Sequence, residues 1–220
     1  MRSGIKGVLF DFDMTLGDSS GAIIRCYKLT LEHFGYELPD DREIFSTIGK
    51  TLLDSFDILT RTKDNPLREE MRRFYVSQAD KYMAAGTLFY PAALPLLDLL
   101  RSRGIKTAVV SSKMKYRIVE TFELHFGRIP VDEIIGLYDM PAPKPAPDGI
   151  LIAADRLGIE KESILYVGDS YIDAETAQAA GVDFAAVTTG PTSASEFAEY
   201  PCCGVYGSLE ELMREFENTR

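Results

Sequence analysis

Long hydrophobic runs are missing from this chain of 220 residues. No apolar stretch approaches the roughly 20 residues that a membrane-spanning helix requires. The N-terminal residues show no signal-peptide pattern either, because their short apolar run leads directly into Asp11. We therefore expect no membrane partner.

Positive charge is also scarce. The chain has 24 Lys and Arg residues against 34 Asp and Glu residues, which gives a formal net charge of −10. This excess of negative charge argues against nucleic acid or an anionic membrane as the main partner. An anionic substrate would consequently need a local positive site.

Cysteine is the third scarce feature. Cys26, Cys202 and Cys203 are an odd number of thiols and lack the spacing of metal ligands. Such a set favours reduced thiols in a cytoplasmic protein over a disulfide framework. We expect the three side chains to pack as small hydrophobic groups.

The composition, 45% hydrophobic and 26% charged, is typical of a soluble globular protein with one large or two smaller domains. A first short apolar run ends at Asp11, and from Pro91 onward such runs alternate with segments of helical spacing. This alternation predicts an α/β fold with a doubly wound parallel sheet and right-handed crossovers. The later predicted strands are residues 106–111, 134–138, 163–167 and 184–187.

The segment between Gly17 and Gly86 interrupts the alternation. It has no strong strand pattern, and its apolar residues recur at helical spacing in about four helices. Such a segment is typical of a helical insertion. We predict an α/β core formed by residues 1–17 and 88–220, with an inserted helical domain formed by residues 18–87.

Chemically active side chains follow four of the predicted strands. Because the carboxyl ends of parallel strands open on one edge of a sheet, we expect these side chains to share a crevice. The set consists of Asp11, Asp13, Ser111, Ser112, Lys113, Lys144, Asp169 and Asp173.

Each member of this set has a simpler explanation when it is taken alone. Asp11 and Asp13 fit an acidic turn after a core strand. Lys144 fits a solvated loop, and Asp169 fits a helix N-terminus. Their coincidence at one predicted sheet edge nevertheless favours a functional site.

The chemical types in the set fit phosphoryl transfer. Asp11 and Asp169, with a backbone carbonyl from near Asp13, are hard oxygen ligands that suit Mg²⁺. One carboxylate can act as a nucleophile and form an aspartyl-phosphate, while a nearby carboxylate transfers protons. A serine hydroxyl and a lysine can hold the phosphoryl oxygens and neutralise the developing charge.

Four ordered motifs resemble those of the haloacid dehalogenase-like hydrolase superfamily. They are the D-x-D-x-T sequence of residues 11–15, Ser111 at the end of a strand, Lys144, and the G-D-x-x-x-D sequence of residues 168–173. The motifs are spread over nearly the whole chain. Their joint match is therefore specific for the superfamily and much less specific for a substrate.

The resemblance implies a Rossmann-like core and a role for each motif residue. Asp11 would be the nucleophile, Asp13 the general acid and base, and Thr15 a support for Asp13 and its loop. The phosphoryl group would be bound by Ser111, with Ser112 beside it, and by Lys144.

The resemblance also implies a Mg²⁺ site among the carboxylates. Asp11, Asp13 and Asp169 would surround the ion. Asp173 would be an outer-shell residue or an occasional direct ligand.

The helical insertion resembles the C1-type cap of the superfamily, which closes over the site, excludes water and selects the substrate. Lys50 lies at a helix break in this cap, where relatives often place substrate contacts, although a solvated lysine fits the pattern equally well. Lys113 either adds positive potential beside the phosphate site or faces water. Met14 stands where many members carry glycine, and we expect it to narrow the mouth of the site.

The sequences around Ser111 and Lys144 are most similar to the phosphoglycolate phosphatase and pyrophosphatase branch. The favoured hypothesis is a Mg²⁺-dependent phosphatase of a small phosphorylated metabolite, phosphoglycolate-like, acting as a monomer or homodimer in the cytoplasm. Inorganic pyrophosphatase and a β-phosphoglucomutase-like phosphomutase are the enzymatic alternatives. A dehalogenase is disfavoured, because a metal-free halide displacement has no use for Asp13 and Asp169 together.

Two further alternatives belong to other functional classes. A signalling receiver domain is expected to be much shorter and to carry its phosphorylated Asp after the third strand, whereas the paired acids here follow the first. A catalytically silent binding module is the other alternative, and the intact set of catalytic residue types argues against it.

Overall fold

The computed structural model describes residues 4–218. Within them the strands are β1 (Gly7–Phe10), β2 (Gly17–Asp18), β3 (Leu88–Phe89), β4 (Lys106–Val110), β5 (Glu133–Ile135), β6 (Ile164–Gly168), β7 (Asp183–Val187) and β8 (Gly204–Tyr206). The α-helices are α1 (Ser20–His33), α2 (Asp41–Phe45), α3 (Leu52–Leu59), α4 (Arg68–Gly86), α5 (Ala93–Ser102), α6 (Lys115–Phe126), α7 (Asp148–Leu157), α8 (Tyr171–Ala180), α9 (Ala194–Phe197) and α10 (Leu209–Asn218).

Six of the strands form one parallel sheet in the order β5-β4-β1-β6-β7-β8. The strand β1 lies in the middle, with Leu9 opposite Ala108 of β4 on one side and Tyr166 of β6 on the other. The predicted α/β fold with a doubly wound parallel sheet is confirmed. Its central strand is the one that leads into Asp11.

Both faces of the sheet are covered, and β1 shows why its sequence is continuously apolar. Successive side chains of a strand point to opposite faces. Val8 and Phe10 belong to a buried cluster with α5, α6 and α10, whereas Leu9 belongs to a second cluster with α7, α8 and α9. Every residue of β1 is therefore buried, as expected for a central strand between two helical layers.

Most of the later strands differ from their predicted bounds by one residue at an end, and the third predicted strand differs by more. The third predicted strand, residues 134–138, ends at Ile135, because the side chain of Asp139 accepts the N–H of Gly136 at 2.8 Å and closes a short 3₁₀ turn. Farther along the chain, helix α7 begins only at Asp148. Closely spaced prolines before it disfavour helical backbone at the residues that precede them.

Short elements escaped the prediction altogether. The sixth strand of the sheet, β8, has three residues, and β2 and β3 have two residues each. Segments of this length are too short to show a hydrophobic period.

Helices α1 to α4 pack around a buried cluster of their own. The ring of Tyr27 lies 5.3 Å from that of Phe56 and 4.7 Å from that of Tyr75. At the ends of this segment β2 and β3 pair antiparallel, with Gly17 opposite Phe89, so the chain leaves and re-enters the core side by side. The division into a core and a cap of residues 18–87 remains a proposal.

Helix α4 is attached to α6 of the core by a buried cation. The guanidinium of Arg117 donates to the carboxylate of Asp80 at 2.7 Å and to the carbonyl of Val76 at 2.8 Å. The hydroxyl of Tyr116 donates to the same carboxylate at 2.5 Å. These contacts fix the middle of the longest helix of the insertion to the sheet domain.

The helices and the cysteines of the structure bear on two expectations drawn from the composition. None of the described helices combines the length and the apolar character of a membrane span. Cys26 is buried among the helices of the insertion, as expected for a small hydrophobic group, whereas Cys203 is exposed and does not have this packing role.

Met14 joins the loop after β1 to the helical insertion. Its side chain is 3% exposed and belongs to the same buried cluster as Tyr27 and Phe56. Its backbone has a φ of +61°, a left-handed conformation that costs about 1–2 kcal/mol for residues with a Cβ. The N–H of Met14 donates to Gly17 O at 2.8 Å, and its carbonyl accepts the hydroxyl of Thr189 at 2.5 Å, so this conformation is held from both sides.

We predict that Met14→Gly is more stable than Met14→Ala, by about 1 kcal/mol in urea unfolding, because glycine alone adopts positive φ without penalty. Both variants lose the buried thioether, which costs about 2–5 kcal/mol. The control is Met71, which is buried in the same cluster but within α4. There the glycine variant should be the less stable one, by about 1 kcal/mol. If the glycine variant is the more stable one at both positions, or the less stable one at both, this account of Met14 is contradicted.

Candidate active site

Three neighbouring strands deliver the predicted residues to the carboxyl edge of the sheet. Asp11 follows β1, and its N–H donates to Val167 O of β6 at 2.9 Å. Ser111 follows β4, and its N–H donates to Ile135 O of β5 at 3.0 Å. Asp169 follows β6 directly. Strand pairing therefore continues up to the first residue of each motif and fixes the backbone positions of the site.

Lys144 brings its ammonium group into the buried interior of this edge. Its Nζ lies 2.6 Å from Asp173 Oδ1, 3.0 Å from Asp11 Oδ1 and 3.3 Å from the hydroxyl of Tyr166. Burial disfavours a charge on Lys144, but the two neighbouring carboxylates outweigh burial and raise its pKa. The side chain is thus an ammonium at physiological pH, not the solvated loop lysine that the sequence also allowed.

Asp173 is saturated with hydrogen bonds. Besides the ammonium of Lys144 and the hydroxyl of Tyr166, it accepts the N–H of Ser170 at 3.1 Å and the hydroxyl of Ser170 at 2.5 Å. The bond from the N–H of Ser170, together with the 3.3 Å bond that the N–H of Asp173 donates to Ser170 Oγ, forms the capping box that begins α8. Gly168 allows this packing, because a Cβ there would lie 2.5 Å from Asp173 Cγ. Asp173 is consequently placed to orient Lys144.

Asp169 is held by the loop after β1. The hydroxyl of Thr15 donates to Asp169 Oδ1 at 2.7 Å. This contact corrects the expectation that Thr15 supports Asp13: the turn after Phe12 points the hydroxyl toward β6. Gly190 leaves room for the other oxygen, since a Cβ there would lie 1.8 Å from Asp169 Oδ2.

Asp13 is held apart from these carboxylates. Its Oδ1 accepts one hydrogen bond from the ammonium of Lys113 and another from the hydroxyl of Ser19, each at 2.5 Å. The side chain of Lys113 is buried, so it does not face water as one of the two sequence interpretations had it. The hydroxyl of Ser19 also lies 3.1 Å from that of Thr87. These two residues lie at the start and the end of the insertion, so their contact joins its two ends.

The donor set fits a divalent cation. Among residues 4–218, the carboxylate oxygens of Asp11, Asp169 and Asp173 lie within 4.8 Å of one another. Asp11 Oδ1 is buried and is paired with the ammonium of Lys144 at 3.0 Å, and no other hydrogen-bond partner for it lies within the described residues. If all are ionised, three buried carboxylates face one ammonium, and the remaining excess of negative charge equals the charge of one divalent cation.

The pKa values of the cluster reflect this excess. Burial raises the pKa of Asp11 to about 6; Lys144 opposes the rise, and Asp173 and Asp13 add to it. Burial also raises the pKa of Asp169 well above its usual range, with further contributions from Asp173 and Asp11. Without a cation the cluster therefore tends to retain protons, and a bound cation would favour the ionised forms.

A cavity of about 550 Å³ extends from these residues toward the helices of the insertion. The predicted residues Asp11, Asp13, Lys50, Ser111, Ser112, Lys144 and Asp169 all line it. Lys50 reaches it from the loop before α3, and its Nζ donates to the hydroxyl of Tyr171 at 2.6 Å. Met14 is buried among the helices, so the expectation that it narrows the mouth of the site is wrong.

Sequence reasoning missed several supporting residues. Tyr166 lies within β6, and its hydroxyl contacts Asp173 and Val110 O, each at 3.0 Å. In the sequence, this tyrosine is part of the apolar pattern of a buried strand, which does not indicate a polar contact for its hydroxyl. Ser19 and Gly190 have no local signal at all, because their partners are side chains of other segments.

Comparison with known proteins identifies the family. A family profile described as haloacid dehalogenase-like hydrolase matches residues 8–187. The chain therefore belongs to the haloacid dehalogenase-like hydrolases, and the resemblance seen in the four motifs is confirmed.

Three individual matches illustrate the relationship. The chain is 31% identical over 187 residues to the pyrophosphatase PpaX of Bacillus pumilus, which covers 84% of each chain. It is 29% identical over 215 residues to the phosphoglycolate phosphatase of Chromobacterium violaceum, covering 96% of this chain and 97% of that one. A crystal structure of a haloacid dehalogenase-like hydrolase from Bacteroides fragilis superposes with a TM-score of 0.91 at 44% identity, covering 94% and 99% of the two chains.

The raised pKa of Asp11 predicts a pH dependence of stability in the presence of a chelator. The folded state binds more protons than the unfolded state between pH 3.8 and about 6. The stabilisation is therefore fully present below pH 3.8 and is lost as pH rises through about 6. The free energy of unfolding of the wild type, minus that of Asp11→Asn, should fall by about 2 kcal/mol from pH 4 to pH 7.

Urea unfolding at several pH values measures this difference, and Mg²⁺ added at pH 7 should reduce it. A difference that stays constant from pH 4 to pH 7 would show that Asp11 does not titrate as described.

Proposed function

We propose that this hydrolase is a phosphatase that removes the phosphoryl group from small phosphomonoesters with the help of Mg²⁺. The observation that carries the proposal is the buried Asp11 carboxylate, which lines the cavity and lies 3.0 Å from the ammonium of Lys144. The adjacent ammonium of Lys144 orients this carboxylate and reduces the repulsion toward an incoming phosphate. The proposed nucleophile is thus held in place beside the cavity.

In the proposed reaction the Asp11 carboxylate attacks phosphorus and forms an aspartyl-phosphate while the bond to the leaving oxygen breaks. Asp13 donates a proton to the leaving oxygen. It then takes a proton from a water molecule, which attacks phosphorus and releases phosphate and the free Asp11 carboxylate. Lys113 and Ser19, which hold Asp13 in the structure, are placed to control its orientation during these steps.

The phosphoryl oxygens would be held by Ser111 at the end of β4 and by Lys144 in the segment between β5 and α7. The hydroxyl oxygen of Ser111 accepts only a 3.3 Å bond from the N–H of Lys113, which leaves its proton available for a phosphoryl oxygen. Ser112 and Lys50 line the same cavity and are proposed as further substrate contacts.

Asp11 and Asp169, with a backbone carbonyl near Asp13, would hold Mg²⁺, and Asp173 would act on the ion from the outer shell. When bound, the ion supplies positive charge for a phosphoryl oxygen and offsets the repulsion among the carboxylates. The saturated hydrogen bonding of Asp173 supports its outer position.

This site indicates only the class of the substrate, a small phosphomonoester. Relatives are named phosphoglycolate phosphatase and pyrophosphatase, so a phosphoglycolate-like monoester is the first substrate to test and pyrophosphate is the second. A cytoplasmic location, a monomeric or homodimeric state and the absence of nucleic-acid and membrane partners remain predictions.

The requirement for a cation can be tested with a generic aryl phosphate. We expect hydrolysis in millimolar Mg²⁺ and loss of nearly all activity in excess chelator, with recovery when Mg²⁺ is restored. Release of the phenol measures the rate. Undiminished hydrolysis in excess chelator would contradict the proposed role of the carboxylate cluster.

The nucleophile can be tested with Asp11→Asn, which we expect to lower kcat by at least about 1,000-fold, because an amide does not form the covalent intermediate. Circular dichroism should show an unchanged fold. The matched control is Asp155→Asn, an exposed carboxylate on α7 that should keep wild-type activity. Near-normal turnover of Asp11→Asn would assign the nucleophile to another residue.

A further inference from the structure

The cavity beyond the phosphoryl site is larger than a small inorganic or two-carbon leaving group requires. Its volume of about 550 Å³ lies in the range of roughly 300–1,000 Å³ of pockets that bury drug-sized ligands. The reacting end, with Asp11, Ser111 and Lys144, occupies only one part of its wall. The remaining wall is available to the group that leaves with the bridging oxygen.

That remaining wall is mainly apolar. It is formed by the start of α3, the inner side of α4 and the segments that follow β4 and β5. Representative side chains are Leu52, Leu53, Tyr75, Met83, Met114 and Met140. Contact between such a surface and the carbon atoms of a substrate favours binding. Contact with a strongly hydrated anion opposes binding, because the anion loses its water.

Most cations at this wall already have carboxylate partners. Arg72 is paired with Glu69 at 2.6 Å, and Arg117 is paired with Asp80 at 2.7 Å. Lys113 is paired with Asp13 at 2.5 Å.

Lys50 is the exception among the cations that line the cavity. Within residues 4–218 no carboxylate lies at ion-pair distance from it, and its Nζ donates to the hydroxyl of Tyr171 at 2.6 Å. The leaving-group side of the cavity can therefore neutralise about one negative charge and not several.

We propose that the substrate is a phosphomonoester whose leaving group is mainly apolar, larger than a two-carbon acid, and carries at most one negative charge. This inference rests on the proposed phosphatase function and narrows it. A second phosphate, as in pyrophosphate or a bisphosphorylated sugar, would bring about 1.5 to 2 negative charges to a wall with one available ammonium. Phosphoglycolate satisfies the charge limit but leaves most of the apolar wall without contacts.

The test is a series of n-alkyl monophosphates, from methyl to hexyl, assayed in saturating Mg²⁺. Their alcohols have nearly equal acidity, so chain length changes binding more than leaving-group chemistry. Burial of each methylene contributes about 0.8 kcal/mol, which corresponds to a factor of about four. Because the cavity is partly open, we expect kcat/KM to rise about two- to fourfold per methylene, and butyl phosphate to exceed phosphoglycolate and pyrophosphate.

A pair of variants on α3 tests whether this wall causes the trend. Leu53 lines the cavity, whereas Ile58 is 43% exposed on the same helix and does not line it. Leu53→Gln should reduce the increase per methylene to less than half of the wild-type factor. Ile58→Gln, the same kind of exchange outside the cavity, should keep the wild-type series.

The outcomes separate this inference from the proposed function. If phosphoglycolate or pyrophosphate is hydrolysed with a higher kcat/KM than every alkyl phosphate, and chain length has no effect, the inference is wrong and the phosphatase function stands. If the chain-length trend survives unchanged in Leu53→Gln, the apolar wall is not its cause. If none of these compounds, and no aryl phosphate, is hydrolysed with Mg²⁺, the proposed function itself is wrong.

Discussion

The buried ammonium of Lys144, held between the carboxylates of Asp11 and Asp173, is the interaction on which the geometry of the site depends. A buried charge is costly unless it is paired and hydrogen-bonded, so each of the three groups requires the other two. Asp173 is itself fixed by Ser170 at the start of α8, and Tyr166 approaches from β6. The position of the Asp11 carboxylate is therefore determined by a strand, a loop and a helix N-terminus at once.

This arrangement leaves the site with too much negative charge. Asp169 adds a third buried carboxylate, and Thr15 supplies it with one hydrogen bond but no positive charge. The raised pKa values of Asp11 and Asp169 are the electrostatic consequence. The same excess of negative charge that opposes stability would favour the binding of a divalent cation. Stability and reactivity thus oppose each other in one group of side chains.

Packing and hydrogen bonds join the helical insertion to the loop after β1, which carries Asp11 and Asp13. Met14, between the two aspartates and Thr15, packs into the core of the insertion in a left-handed backbone conformation. Arg117 ties α4 to α6, and Ser19 links Asp13 to the first residues of the insertion. The helices that form the apolar wall are consequently attached to the residues proposed to do the chemistry. The proposed substrate choice and the proposed proton transfer would be structurally connected in this way.

The sequence by itself determined the parallel sheet and the places of Asp11, Ser111 and Asp169 at its edge. These follow from local patterns, because an apolar strand and the polar residue after it are neighbours in the chain, and parallel strand ends must meet at one edge. The roles of the partners were decided only by the tertiary structure.

Thr15 and Asp169 are 154 residues apart in the chain, and Lys113 and Asp13 are 100 apart. No local pattern specifies such pairs, so the sequence assigned Thr15 to Asp13 and left Lys113 open between phosphate and water. The apolar cavity wall is likewise assembled from helices of the insertion and loops of the core. Only the packing of one against the other decides which side chains face the substrate.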